Sequence, residues 1–179
     1  QDRVVVVENL PELERVLARA HAAELVVTSL GVTGAPGALR YAATLARRPG
    51  GEQLVVGEIE PGRLEPTAHA HARRGYQPAI VAACGSGPGA RAAIVFERAS
   101  PGDATTRLVA PRSFRDERGL FVEAALGEAE RETHFIRSVA AFGAPQGADG
   151  AGVMVIAVLA TFAGARELGG DVGGNVRFA

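Results

Sequence analysis

The chain of 179 residues has no lysine and no tryptophan, and it carries one cysteine, one methionine and two tyrosines. Without lysine there can be no Schiff-base or pyridoxal-phosphate lysine, no Walker-type phosphate loop and no Ser-Lys dyad in this chain. The single cysteine, Cys84, excludes an internal disulfide framework and a cysteine-built zinc site. No apolar run is long. The longest, residues 153–163, falls far short of the roughly 20 residues of a membrane helix and contains β-branched residues, so it reads as a buried strand. The N-terminal Gln1-Asp2-Arg3 leads into Val4–Val7, too short for the apolar core of a signal peptide. A cytoplasmic location and an exported one with its signal removed both remain open. Charge is balanced, 19 basic residues (all arginine) against 20 acidic. That excludes a strongly basic nucleic-acid binder and an acidic tail.

What is abundant is alanine, valine and glycine, arranged in a recurring order. Asn9 stands as a helix cap with Glu12 three residues on, and Leu10, Leu13, Val16, Leu17 and Ala20 follow at helical spacing. Two strand-like runs, 25–32 and 40–47, are joined by Gly34-Ala35-Pro36-Gly37 and read as a hairpin. Residues 54–59 form an additional edge strand. The order then returns: a short helix over 66–74 ending at Gly75, a strand over 79–83, the breaker 85–89 and a strand over 91–98. Arg40-Tyr41-Ala42-Ala43 sets beside Arg91-Ala92-Ala93-Ile94. A third copy has its helix within 114–130 and strands over 134–142 and 153–162.

These spacings predict an α+β fold: three helix–hairpin repeat units, about 9–60, 61–110 and 111–163, forming one sheet with helices packed on one face. Val4–Val7 is then the second strand of an incomplete preceding unit. Residues 1–163 make a single domain, and 164–179 a Gly-rich tail.

Gly75-Tyr76-Gln77-Pro78 and Arg40-Tyr41-Ala42-Ala43 resemble the strand signatures of the bacterial tandem repeat domains, modules also seen in polyglycine hydrolases. The second unit lacks the tyrosine, and the tryptophan that usually ends the strand is missing. The resemblance covers about residues 9–110. It implies a non-catalytic binding or spacer module of a larger, exported protein, since in that family the repeats sit beside a serine-hydrolase domain.

Gly85–Gly89 lacks the following helix that a phosphate loop needs and reads as a hairpin loop. Cys84 reads as a small core thiol. His69 and His71 diverge on a helix, so no metal site is expected, and no cofactor. Asp103, Asp116, Glu117, Glu123, Glu128, Glu130, Arg131 and Glu132 read as a solvated face. Arg40 and Arg47 recur as Arg91 and Arg98, forming rows whose planar forks suit an anionic or polymeric ligand. The alternatives are a small enzyme, with a pocket between sheet and helices drawing on Arg40, Tyr41, Tyr76, Arg91 and His134, and a self-associating subunit joined through edge strands.

Overall fold

The computed structural model describes residues 2–48, 51–100, 105–113, 134–143 and 154–161. The expected third helix within 114–130, the acidic cluster around it, Asp103, nearly all of the 143–152 loop and the 164–179 tail lie outside the described residues. The order of elements is β1 (Arg3–Val7), α1 (Leu10–Ala22), β2 (Leu25–Ala35), β3 (Ala38–Arg47), β4 (Gln53–Ile59), α2 (Leu64–Ala72), β5 (Tyr76–Cys84), β6 (Arg91–Arg98), β7 (Thr106–Ser113), β8 (His134–Phe142) and β9 (Met154–Thr161). Short 3-10 turns occupy Pro61–Arg63 and Gly87–Gly89.

The helix α1 forms as its sequence dictates. Asn9 is extended and its side chain accepts from the Glu12 N–H at 2.9 Å, while the Glu12 carboxylate turns back to the N–H of Glu8 at 3.0 Å. Leu13, Leu17 and Ala20 are its buried stripe. The second helix begins at Leu64, two residues before the expected start, because the preceding 3-10 turn feeds directly into it. Its amides run out at Gly75, which closes the helix from the left-handed region with φ +80°. The hairpins β2–β3, β5–β6 and β8–β9 pair antiparallel, as their Gly/Pro connections require. Gly85 makes the second turn: a Cβ there would stand 2.6 Å from the Gly89 carbonyl oxygen, so no other residue fits.

The fold is α+β, built of three small antiparallel sheets ordered β1-β3-β2, β4-β6-β5 and β7-β9-β8. This corrects the expectation of one common sheet. The strands that complete the sheets also come from an unexpected place. Val4–Val7 belongs to β1, which pairs with β3 in the first sheet, and residues 54–59 pair with β6 in the second. The strand β7 had no counterpart in the sequence reading. In each sheet the strand before the helix, or before the 114–133 segment, lies on one side of the central strand and the first hairpin strand on the other.

The separation has a physical cause. Each first hairpin strand carries a bulge at the same register: between Val27 and Ser29, Pro78 and Ile80, and Ile136 and Ser138. Bulges leave backbone groups unpaired and kink the edge. Side chains of the following sheet take up those groups. Gln53 accepts from the Val27 N–H at 2.7 Å and donates to its carbonyl at 3.1 Å. At the equivalent place Thr106 donates its hydroxyl to the Pro78 carbonyl, and farther along the same edge, beyond the bulge, Ser138 accepts from the Val81 N–H at 3.1 Å. An edge satisfied by side chains offers nothing for another strand to extend.

The core is shared between sheets. On β3, Tyr41, Ala43 and Leu45 meet Leu13, Leu17 and Ala20 of α1, and this cluster continues into Val55, Ala93 and Val95 of the second sheet. The alternate residues of β6, Ala92, Ile94 and Phe96, join Leu64 and Ala68 of α2 together with Ile156 and Val158 of β9. The central strand β6 is therefore buried on both faces, with Ala92 through Phe96 at 0% exposure. Each large apolar side chain taken from water there contributes about 1.5–3 kcal/mol. Among the described residues no helix is long and apolar enough to cross a membrane.

Candidate functional site

Polar groups gather where the first and second sheets meet, at both ends of the strands. At the hairpin end, four elements contribute: Tyr41 from β3, Glu58 from the irregular stretch of β4, Cys84 from the end of β5 and Arg91 from the start of β6. Tyr41 is 1% exposed, and among the described residues its hydroxyl has no hydrogen-bond partner. Gly57 makes room for it, since a Cβ at that position would stand 2.5 Å from the tyrosine oxygen. Burial, then the Glu58 carboxylate and Cys84, push the phenol up to about 12.

Glu58 has φ +55°, an uncommon and strained conformation for a residue with a side chain. Its carboxylate accepts from the Gly37 N–H at 3.3 Å and faces the Arg91 Nε at 4.0 Å. Arg91 is held more firmly by carbonyls, donating to Ala90 at 2.7 Å and Pro88 at 3.0 Å. The Cys84 thiol leans on the Gly34 carbonyl at 3.9 Å, and burial followed by Glu58 pushes its pKa up. Both weak acids thus keep their protons at neutral pH. The cluster can donate hydrogen bonds; it is poorly set for nucleophilic attack, which needs a thiolate.

At the other end, Tyr76 donates its hydroxyl to Glu52 and accepts from Arg98 Nη2 at 3.0 Å, with the guanidinium carbon 4.6 Å from the ring centroid. Arg98 Nε holds the same carboxylate at 2.6 Å. Hydrogen bonds from Arg98 and Tyr76 bring Glu52 down to about 2. Beside it lies Glu97, whose carboxylate receives Arg48, Arg137 at 2.6 Å and Gln53 at 2.9 Å. Burial opposes ionisation of Glu97, but those three donors outweigh it and hold the carboxyl below its ordinary range. Arg48 follows the first sheet, Glu97 lies in the second and Arg137 is the bulged residue of β8, so one carboxylate ties all three sheets. A groove of about 220 Å³ runs between α1 and β4 past Leu17, His21, Gln53 and Val55.

The residues singled out in the sequence divide between these ends. Arg40, Tyr41 and Arg91 sit at the hairpin end, while Tyr76 and the backbone of His134 sit at the other, a strand length of about 20 Å away. The His134 side chain lies outside the described residues. Arg40 is bound to Glu8 at 2.7 Å, and Arg47 and Arg98 to Glu24 at 3.1 Å and Glu52. The arginine rows therefore carry carboxylates already. His71 stacks on Phe96, centroids 4.5 Å apart, and among the described residues no cluster of His, Cys, Asp or Glu could hold a metal ion. Sequence reasoning passed over Glu58, Glu97, Gln53 and Arg137. Glu97 did leave a signal, a lone carboxylate ending the apolar run Ala92–Phe96.

A scan against protein-family models gives no match for the chain, and a search of curated proteins gives none either.

Proposed function

We propose that the chain is a non-catalytic repeat module that spaces or binds its neighbours within a larger, exported protein. Its first two sheets are read as copies of one unit, strand–helix–strand–strand, and the third sheet as a further copy of the three strands. The observation that carries this reading is the second sheet, buried on both faces between α1 and the third sheet, so that each unit is completed by the next. The shared position of the bulges, and the side chains that lock them, support the same conclusion. The resemblance of Gly75-Tyr76-Gln77-Pro78 and Arg40-Tyr41-Ala42-Ala43 to bacterial tandem repeats supplies the exported context.

A stacked array opens from its ends. Native-state hydrogen exchange is expected to show the slowest amides on β5 and β6, with the first and third sheets exchanging through separate, cheaper openings. Equal protection in all sheets, lost in one global step, would count against the array.

The hairpin-end cluster favours a second reading, a small enzyme using Tyr41, Glu58 and Cys84. Alkylation of Cys84 decides between them. The array reading expects the rate to rise only above the ordinary thiol range of about pH 8.5. A midpoint near neutrality would mean an activated thiolate and restore the catalytic reading.

A further inference from the structure

The edge strand β1 differs from its counterparts. In the second and third sheets the corresponding strands are irregular: β4 shifts register between Val56 and Ile59, and β7 between Val109 and Arg112, with Pro111 in the shifted stretch. Bulges and proline are the usual means of spoiling an edge for further pairing. By contrast, β1 pairs residue for residue with β3, Arg3 with Leu45 through Val7 with Tyr41, without any shift. Its centre is four valines with no proline, glycine or charge among them. Among the described residues no hydrogen bond reaches its free edge.

The face of the strand is open as well. By pairing register, Val4 (opposite Thr44) corresponds to Val55 (opposite Val95) and Leu108 (opposite Val158). Val55 is 6% exposed under α1, and Leu108 packs into the core that α2 shares with β9. Val4 and Val6 are 71% and 69% exposed. A regular edge, charged only at its first residue Arg3, and an uncovered valine pair therefore coincide on one strand.

We infer that β1 is an interaction surface whose occupant is β1 of a second copy of this chain, paired antiparallel about a two-fold axis through Val5. The strand is self-complementary in that register. Val4 of each copy lies opposite Val6 of the other on the open face, and Val5 pairs with its own counterpart. Arg3 and Val7 close the ends, while Glu8, just beyond, is already neutralised by Arg40. The product is a continuous six-stranded sheet, which satisfies the free backbone groups of both edges.

Sedimentation of the full chain from about 1 to about 200 μM tests this. A mass that rises toward twice the monomer is expected, and Val6→Lys, on an exposed side chain, is expected to weaken association by about tenfold or more. Hydrogen exchange of the unaltered protein gives an independent reading, since the Val4–Val6 amides should gain protection as concentration rises while β4 amides do not. A monomer throughout the range would overturn the proposal. So would a dimer insensitive to Val6→Lys, or one that leaves the β1 amides unprotected. Should Val6→Lys fail to fold, the exchange measurement alone decides.

Discussion

Phe96→Ala is expected to destabilise the fold by about 3–5 kcal/mol, the range for deleting a large buried aromatic side chain. Phe96 is fully buried at the point where the second and third sheets share a core with α2. On one side its ring stacks on His71 at an interplanar angle of 18°. Phe142, Ile156 and Val158 belong to the same cluster. Truncation removes the transfer energy and the stacking contact together, the latter about 0.5–1.5 kcal/mol. The cavity has little means of closing, because β6 is held between strands on both sides and by cores on both faces. Denaturant titration is the measurement, with a fall in midpoint and little change in slope. A loss under about 1.5 kcal/mol would mean that the sheets can slide together and close the cavity.

Glu97→Ala carries the second large effect, and its size depends on pH. At neutral pH the substitution strands Arg48 and Arg137, and removing one member of a buried ion network costs about 3–5 kcal/mol. The Arg48 side chain is 49% exposed and Arg137 25%, so water recovers part of that loss. About 2–3 kcal/mol is expected after that screening. The folded protein holds the Glu97 carboxyl below its ordinary range, so its contribution is present above the unfolded carboxyl value and disappears as pH falls through the lower folded value. The wild-type chain should therefore lose stability from about pH 4 downward more steeply than Glu97→Ala, and their acid limbs should converge. Glu52, drawn down to about 2 by Arg98 and Tyr76, adds to the same acid sensitivity in both proteins. Parallel acid limbs would show that Glu97 titrates alike folded and unfolded, and that the three-sheet ion network adds nothing.

Much of the local structure was legible in the residues. The cap at Asn9 and the Leu13–Leu17–Ala20 stripe specify α1 without help from the rest of the chain. Gly/Pro connections mark the hairpins, and β6 begins and ends where the pattern of its residues does. The completing strands were harder. Gln53 pairs with Glu97 across most of the second sheet's sequence, and nothing near Gln53 announces that partner. The strand β7 contains Arg107, Pro111 and Arg112, a composition that does not read as a strand until β9 is beside it. The arginine rows were visible as a repeat, but the acids that occupy them, Glu8, Glu24 and Glu52, come from strand ends and connections at other points in the chain.

By itself, then, the sequence determined the chemistry this chain can never do and the identity of α1 and the hairpins. Those depend on side-chain absence, on capping and on turn geometry, which act over a few residues. Tertiary structure alone decided that the strands form separate sheets, that Tyr41 is buried with a hydroxyl unpaired among the described residues, that Glu97 joins all three sheets and that β1 is left as a clean edge. Each depends on which distant backbone groups find partners, and in these sheets bulges send that choice to the side chains of the next one.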